Sequence, residues 1–467
     1  MKSLPAEAVA ERLVASLADA AVPDRMRDVC ELLAMDFAGL CIAARKSDYV
    51  RATIDASDDD GPCTMIGHAR TADVAGAALV NGTAAHGEDY DDTFERGPVH
   101  AGAAIIPAIL AAAEAHRLCS ADVVRGIAIG CEVMCRLCLV APKRVHQAGF
   151  HPTAVFGALG AAAGVSAALR LPPAQWVDAI GIAGSMASGI IEYLAEGTWT
   201  KRMHPGWAAH SGYRAARLAR AGFKGPRTVL DGEHGFFHAF ARTHDGNLDA
   251  MLDGAGREWL AASIAFKPYA CGTMAHPYID CARALVASGV DPSQIVAIEC
   301  ETAEGIVHRL WEPLVDKQRP LNGYSAKFSI PYAIAVGMLR GDAGLGDYEE
   351  SVVGDPDVLA LASKIRYVID PANPYPDRFT GHVRATLADG SVREARQDHF
   401  RGGVSEPLSA ADLEAKFRAN CAYGGCDASA TDAALLAIRR AIRPSPGPID
   451  LSALRIAAIG RPGQIAT

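Results

Sequence analysis

The strongest constraint on this fold is the helical period that runs through roughly its first 265 residues. Apolar residues recur at i, i+3 and i+4 in segments such as AVAERLVASLADAA, MRDVCELLAMDFAGLCIAA and SGYRAARLARAGF, which is typical of helices that bury one face. The stretch TAVFGALGAAAGVSAAL at 153–169 is apolar throughout, yet it is just short of a membrane span. We therefore predict that 153–169 is a buried helix of a large all-α domain.

Small residues inside that stretch indicate how its neighbours pack. Gly160 and Gly164 are four residues apart, so they share one helix face and allow a second helix to approach closely. The run GALGAAAG lacks the G-x-G-x-x-G spacing of a dinucleotide site, and no strand precedes it. The glycines therefore predict close helix packing rather than a nucleotide-binding loop.

The pattern changes after about residue 265. SQIVAIECETAEG alternates like a strand, KIRYVIDP reads as another, and GHVRATLADGSVREARQ predicts a hairpin that turns at Asp389–Gly390. Helical periodicity returns after about residue 404. We therefore predict a mainly α protein with three segments: a large all-α domain over 1–265, a smaller α+β domain over 266–403, and C-terminal helices over 404–467 that rejoin the large domain.

Charge and cysteine content exclude several function classes. The 467 residues carry a net charge of −9 with no basic stripe, so we expect neither nucleic acid nor a membrane as a partner. The N-terminal segment carries charges where a signal peptide would be apolar, and of the twelve cysteines just Cys135 and Cys138 form a C-x-x-C pair, which favours a reduced, cytoplasmic setting. Cys131, Cys135 and Cys138 lie at helical spacing and are predicted to be buried structural residues.

The segment HGEDYDDTFERGPVHAG, at 86–102, lies between two apolar helical stretches and crowds four carboxylates, Glu88, Asp89, Asp91 and Asp92, into five positions. A calcium loop starting at Asp89 would need glycine at its sixth position and a carboxylate at its twelfth, but Phe94 and His100 stand there. If the helix that starts near residue 73 continues to about 93, Asp89 and Thr93 share one face. A carboxylate, a hydroxyl and the imidazole of His100 would then meet at a helix–loop–helix junction.

Three further stretches carry histidine and lysine. His151 opens the Ala/Gly-rich helix, where free N–H groups suit a carboxylate, although a lone histidine there is more often a cap or core residue. GTWTKRMHPGWAAHSG holds Lys201, Arg202, His204 and His210, and indicates either an anion site or a solvated basic loop. FKPYACGTMAHPYID places Lys267 and His276 at the predicted domain boundary, where ligand clefts are common.

Together these stretches, in this order and spacing, resemble the MmgE/PrpD family. The resemblance covers nearly the whole chain through NGTAAHGEDYDDTF, VHAGAAIIPAILA, GFHPTAVFG, TKRMHPGWAAHSGYRAARLA, FKPYACGTMAHPYIDCA and YSAKFSIPYAIA. The family includes 2-methylcitrate dehydratase, cis-aconitate decarboxylase and iminodisuccinate epimerase. The resemblance implies a large all-α domain with a smaller α+β lid, a homodimer, and a site in the cleft between the domains that uses neither metal nor cofactor.

Matched residue by residue, the family pattern implies four catalytic and four substrate-binding positions. Two departures fall on the site: Thr93 and His100 are one residue further apart than in the decarboxylase pattern, and Gly272 stands five residues after Lys267, where relatives often carry Cys or His. The implied catalytic positions are Asp89, His100, His151 and Lys201, and the implied substrate-binding positions are Thr93, His204, Lys267 and His276.

The chemistry that these residue types favour is proton transfer beside a carboxylate. A neutral imidazole can act as acid or base, and lysines can stabilise carbanionic charge. We expect a hydro-lyase that removes water from a hydroxy-di- or tricarboxylate; an iminodisuccinate-like epimerase, a cis-aconitate-type decarboxylase and an inactive carboxylate-binding homologue remain alternatives. His100 is expected to be the acid/base and Asp89 its orienting carboxylate or a proton-transfer partner, whereas Asp91→Asn is expected to cost far less if the Asp91 side chain caps the helix end or faces solvent.

Overall fold

The structure of the protein is a computed structural model that describes residues 7–57, 60–97 and 99–456. It separates into two compact units, one formed by Met1–Ile264 with Ala410–Thr467 and the other by Ala265–Ser409. The parts of the helical predictions that fall on 1–6 and 457–467 lie outside the described residues. Across the described ranges, no helix is both long and apolar enough to cross a membrane.

The first unit is built almost entirely from helices, as the period predicts. Four two-residue strands interrupt them: β1 Cys63–Thr64, β2 Thr71–Ala72, β3 Thr93–Phe94 and, where the unit ends, β4 Ile264–Ala265. The helices before residue 264 are α1 Val9–Ala18, α2 Asp24–Ala44, α3 Asp48–Asp55, α4 Val74–His86, α5 Ala101–His116, α6 Ser120–Leu137, α7 Arg144–Gln147, α8 Pro152–Ala168, α9 Pro173–Met186, α10 Tyr193–Glu196, α11 Thr200–Arg220, α12 Phe236–Ala241 and α13 Leu248–Leu252.

Helix α8 is the centre of the first unit, because every one of its residues is buried. It packs against α6 and α11, and small residues bring the backbones together. A Cβ added to Gly160 would lie 2.9 Å from the carbonyl oxygen of Gly130, and one added to Gly164 would lie 2.6 Å from that of Gly126. The close approach predicted from these two glycines is therefore confirmed, and neither position has room for a side chain.

The second unit combines seven helices with a four-stranded sheet of order β6-β5-β7-β8. Strand β5 pairs parallel with β6 and antiparallel with β7, and the hairpin β7–β8 turns through Gly390 at φ +82°, as predicted. Its elements are α14 His276–Ala287, β5 Ile295–Thr302, α15 Glu304–Leu310, α16 Leu314–Gln318, α17 Gly323–Ala326, α18 Ile330–Arg340, α19 Glu350–Val353, α20 Pro356–Ala362, β6 Ile365–Ile369, β7 Gly381–Leu387 and β8 Val392–Gln397.

The chain then returns to the first unit through α21, Ala410–Tyr423, and α22, Ala428–Ile442. Both helices pack against α2, and α22 also contacts α6. Lys416 of α21 forms a buried ion pair with Asp36 of α2, at 2.8 Å between Nζ and Oδ1. The helices that are last in sequence are therefore joined to the second helix of the chain.

The cysteines behave as the sequence predicts. All twelve are free thiols, and Cys131, Cys135 and Cys138 lie buried along α6 or at its end. Burial raises the pKa of each of these three thiols. They are packing residues and not a metal cluster.

Candidate active site

The acidic segment does not continue the preceding helix, so the prediction of a helix to about residue 93 is wrong. Helix α4 ends at His86, and Asp89 adopts the left-handed conformation with φ +57°, which Asp tolerates better than most residues. The Asp89 N–H donates to the His86 carbonyl at 3.1 Å, closing a turn. Thr93 lies on β3 and is partly exposed. Asp89 and Thr93 therefore belong to a loop and a strand rather than to one helix face.

The loop at 88–92 is held residue by residue, because each of its five positions has a partner on a different helix. In a helix these side chains would follow the regular helical repeat. In the loop, successive side chains contact different helices. The partners are Tyr49 Oη of α3 for Glu88 at 2.9 Å, Lys201 Nζ of α11 for Asp89 at 3.0 Å, Lys416 Nζ of α21 for the Tyr90 carbonyl at 2.8 Å, His86 Nδ1 of α4 for Asp91 at 2.7 Å, and the first N–H groups of α5 for Asp92 at 3.0 Å.

Asp92, and not Asp91, caps the next helix. Its carboxyl accepts the N–H groups of Ala101 and Gly102, at the positive end of α5. Burial and the neighbouring Asp91 carboxylate nevertheless raise the pKa of Asp92 to about 8. This carboxyl therefore holds its proton over much of the range in which an ordinary aspartate is charged.

His100 is oriented as a proton acceptor. Its Nδ1 lies 2.7 Å from the Asp92 carbonyl oxygen, and since a carbonyl only accepts hydrogen bonds, Nδ1 carries the hydrogen. The neutral ring then keeps a lone pair on Nε2. The backbone N–H of His100 donates to Thr153 Oγ1 at 3.2 Å. The ring is thus fixed in the tautomer that a general base needs.

The carboxylate beside the His100 ring is Asp91, with Oδ1 3.5 Å from Nδ1. Asp91 is buried and also accepts a hydrogen bond from His86 Nδ1 at 2.7 Å. The condition that Asp91 caps the helix end or faces solvent is therefore not met, because Asp92 takes the cap and Asp91 joins two imidazoles.

Four imidazoles gather behind this loop. The ring centroid of His86 lies 4.8 Å from that of His100 and 5.7 Å from that of His151, and His151 is 5.3 Å from His204. The Nδ1 atoms of His151 and His204 approach to 3.1 Å. Because one ring must donate and the other accept across that distance, they cannot both carry a proton on Nδ1.

Burial keeps the His151–His204 pair neutral. It lowers the pKa of His204 to about 4 and that of His151 well below its usual value, and the nearby Lys201 ammonium acts in the same direction. At pH 7 both rings are uncharged, so each offers a hydrogen-bond donor and an acceptor without competing charge.

The basic stretch is a helix and not a solvated loop. Helix α11 begins at Thr200 and contains Lys201 and His204, the two residues of this stretch predicted for the site. Lys201, in its first turn, pairs with Asp89 at 3.0 Å, and His204 follows one turn later. Arg202 stacks over Tyr49 at 4.5 Å, and His210 stacks on Trp207 at 4.9 Å. Of the α11 residues predicted for the site, Lys201 in the first turn is therefore the one with a described contact to the acidic loop.

Lys267 and His276 belong to the second unit, where both side chains are buried. His276 is the first residue of α14, and its Nε2 lies 3.2 Å from the Cys271 carbonyl oxygen. Since a carbonyl only accepts hydrogen bonds, Nε2 of His276 carries a hydrogen and donates it to the Cys271 carbonyl.

The donor atoms of His86, Asp91 and His100 lie within 4.8 Å of one another, close enough to hold a metal ion. Two imidazoles and a carboxylate are a common ligand set. However, the 2.7 Å bonds from His86 to Asp91 and from His100 to the Asp92 carbonyl account for the same approach. The arrangement is thus explained as a hydrogen-bond network.

Two family models cover most of the chain. The MmgE/PrpD N-terminal domain matches residues 10–249, and the MmgE/PrpD C-terminal domain matches residues 269–438. The chain belongs to the MmgE/PrpD family. The resemblance drawn from the motifs is therefore confirmed.

Curated relatives within the MmgE/PrpD family include two kinds of lyase. Cis-aconitate decarboxylase of Homo sapiens is 32% identical over 358 residues, covering 74% of this chain and 72% of the relative. Cis-aconitate decarboxylase of Aspergillus terreus is 26% identical over 404 residues, covering 79% of each. 2-Methylcitrate dehydratase of Cupriavidus necator is 27% identical over 196 residues, covering 40% of each.

Within the first unit, the structure brings together five of the predicted family positions and adds two that sequence reasoning did not select. Asp89 and Lys201 form an ion pair, and His100, His151 and His204 lie in one chain of imidazoles. The additions are His86 and Asp91. The sequence HGEDYD shows that His86 and Asp91 are five residues apart. Their contact could not be predicted from it, because it depends on the turn after α4.

Proposed function

We propose that this protein is a lyase that acts on a small di- or tricarboxylate by proton transfer beside a carboxylate, without a metal or cofactor, and that elimination of water from a hydroxy acid is its reaction. The observation that carries the proposal is the His100 ring, whose Nδ1–H is taken by the Asp92 carbonyl while Nε2 is left with a lone pair. Such an imidazole can remove a C–H proton.

Lys201 supplies the complementary charge in this proposal. Its ammonium lies 3.0 Å from Asp89 at the start of α11, where it can stabilise the negative charge that grows on the substrate carboxylate. An elimination also needs a group that gives a proton to the departing hydroxyl, and an ammonium is able to donate one. Asp89 then orients Lys201. To close the cycle, His100 releases the proton it took from carbon to solvent, and the neutral Lys201 takes up a proton from solvent. Lys267 and His276 are proposed as substrate-binding residues on the family pattern.

Decarboxylation is the second candidate. It is favoured by the extent of the match to the human cis-aconitate decarboxylase, which covers 74% of this chain against 40% for the dehydratase. The two reactions share the carbanionic charge that lysine and histidine stabilise, so the same residues serve either one.

Proton NMR in heavy water separates the candidates. The purified protein is incubated with a panel of hydroxylated and unsaturated di- and tricarboxylates, and with iminodisuccinate formed in situ. A new vinyl signal with loss of water supports dehydration, loss of CO₂ supports decarboxylation, and deuterium uptake alone supports epimerisation. Binding without any of the three, shown by ligand line broadening, would make the protein an inactive carboxylate-binding homologue and would overturn the proposal.

We also propose that the protein is a homodimer. Trp199, the N-cap of α11, and Met203 and Trp207 within the helix follow one another at four-residue spacing, with exposed fractions of 49%, 37% and 38%; Ile190 and Leu194 are exposed as well. Patches of this kind commonly mark subunit contacts. Light scattering of the wild type should give twice the chain mass, and Trp207→Glu should lower it; a wild type that is monomeric at micromolar concentration would contradict the proposal.

A further inference from the structure

Lys416 of α21 is a buried cation that reaches the acidic loop from the far end of the sequence. Its side chain is 5% exposed, and its Nζ lies 2.8 Å from the Tyr90 carbonyl oxygen, 2.8 Å from Asp36 Oδ1 and 3.8 Å from the centre of the Tyr90 ring. The Tyr90 carbonyl, the Tyr90 ring and the Asp36 carboxylate together hold the ammonium in place.

A buried ammonium is costly, and packing alone would be served by a methionine of similar length. The charge is balanced by Asp36, but that pair by itself would not require a contact with the loop. The Tyr90 carbonyl supplies the reason, because a buried backbone acceptor needs a donor. Lys416 therefore does two things at once: it satisfies the Tyr90 carbonyl and it fixes the plane of the peptide bond between Tyr90 and Asp91.

That peptide bond lies between the two carboxylates that meet the proposed catalytic groups. Asp89, immediately before Tyr90, has φ +57° and pairs with Lys201. Asp91, immediately after it, pairs with His86 and lies beside His100. Since the peptide bond is planar, a rotation of this unit would change ψ of Tyr90 and φ of Asp91, and with them the path of the chain between the two carboxylates.

We propose that Lys416 is a positioning residue of the active site, which holds the Tyr90 carbonyl so that Asp89 meets Lys201 and Asp91 meets His100. The effect on turnover rests on the proposed function. The effect on the loop itself does not, and can be measured without a substrate.

The test uses the double variant Asp36→Asn/Lys416→Met, which removes both buried charges together and so leaves neither unpaired. Asp36→Asn alone retains the bond from Lys416 to the Tyr90 carbonyl. Arg439→Gln is the matched control, because Arg439 of α22 joins α2 at Glu31 with a 3.2 Å ion pair and makes no described contact with the loop. It weakens the packing of the C-terminal helices on α2 without touching Tyr90.

Two readouts are taken on each folded variant: amide hydrogen exchange of residues 87–97, and kcat and KM on the substrate identified for the wild type. We expect the double variant to exchange at least tenfold faster in 87–97 and to lose about 10- to 100-fold in kcat with a smaller change in KM, since misplaced catalytic groups cost turnover. Arg439→Gln should change loop exchange and kcat by less than about threefold. Asp36→Asn leaves the buried ammonium without its counter-charge and should lower the melting temperature, but because it keeps the Tyr90 contact, its loop exchange should stay below that of the double variant.

A folded double variant with wild-type exchange and wild-type kcat would overturn the inference. If the wild type turns over no substrate, the proposed function fails, but faster loop exchange in the double variant and not in Arg439→Gln would still support the positioning role. If the double variant does not fold, Asp36→Asn/Lys416→Gln repeats the test, because the two amides can bond each other while glutamine is too short to retain the Tyr90 contact; unchanged exchange and kcat there would overturn the inference as well.

Discussion

The acidic loop and the imidazole pair behind it are both buried, yet they are stabilised in contrasting ways. Each residue of 88–92 is held by a group on a different helix, whereas His151 and His204 meet mainly each other, at 3.1 Å. Burial raises the pKa of Asp92 to about 8 and lowers that of His204 to about 4. Desolvation therefore disfavours the charged form in both halves of the site: it raises the pKa of a carboxyl in the loop and lowers the pKa of a histidine in the pair.

This contrast suggests a division of labour. Each position of the loop has its partner on a different helix, so the geometry of the loop depends on several helices at once. The imidazole pair needs no charge partner, because it is neutral at pH 7, and it can offer hydrogen bonds to an anionic ligand without adding a cation. Lys201 supplies the positive charge between the two halves.

The largest effect is expected where the loop meets the imidazoles, at His100. His100→Ala should lower kcat by about 10²–10⁴-fold, since a general acid–base group typically contributes that much. His210→Ala is the control, because His210 lies on α11 but stacks on Trp207, and it should retain kcat within about threefold. Circular dichroism and melting accompany the kinetics. Near-full turnover by His100→Ala would make the acidic segment structural.

Asp91 gives the next largest effect and separates the two aspartates that look equivalent in sequence. Asp91→Asn removes the charge between His86 and His100, and we expect kcat to fall by about tenfold or more, because a hydrogen bond to a charged group contributes roughly 1.5–3 kcal/mol. Asp89→Asn, measured beside it, reports on Lys201 instead. An Asp91→Asn enzyme with the wild-type kcat would return this residue to a purely structural role.

The dependence of stability on pH tests the comparison directly, because the two halves have opposite signs. The unfolded chain releases the Asp92 proton near pH 3.8 and the folded chain near 8, so this group lowers stability as pH rises between those values. The unfolded chain protonates His204 below pH 6.5 and the folded chain only near 4, so this group lowers stability as pH falls between them.

Melting temperatures from pH 4.5 to 8.5 measure both contributions. Asp92→Asn should reduce the loss of stability toward high pH, and His204→Asn should reduce the loss toward low pH; each contributes on the order of a few kcal/mol across its window. Parallel melting curves for the wild type and both variants would show that burial does not separate the two halves.

The smallest expected effect is that of chelation. Extensive treatment with EDTA should leave kcat within about twofold, because His86, Asp91 and His100 are already joined by hydrogen bonds. Metal content of the protein before and after treatment is measured by mass spectrometry. Loss of activity that one added cation restores would identify those three side chains as ligands and would end the metal-free mechanism.

Periodicity predicted the helices, and turn residues predicted the hairpin at Gly390, because local patterns determine both; the motifs and the family resemblance selected Asp89, His100, His151 and Lys201 as candidates. The end of α4 at His86 could not be read in this way, because small and polar residues continue a helical pattern past it. The exchange of roles between Asp91 and Asp92 depends on which carboxyl reaches the N-terminus of α5. Lys416 lies 326 positions from Tyr90, and nothing local to either residue indicates their contact.

The return of the chain to its first unit has a consequence for the order of synthesis. A ribosome synthesises residues 86–204 long before α21. This segment contains His86, His100, His151 and His204, the histidines of the site in the first unit. Until residues 410–423 emerge, the Tyr90 carbonyl lacks its ammonium and Asp36 lacks its counter-charge. A nascent chain that already contains the proposed base and cation therefore still lacks the contacts of Lys416, and its loop gains them only once α21 has been synthesised.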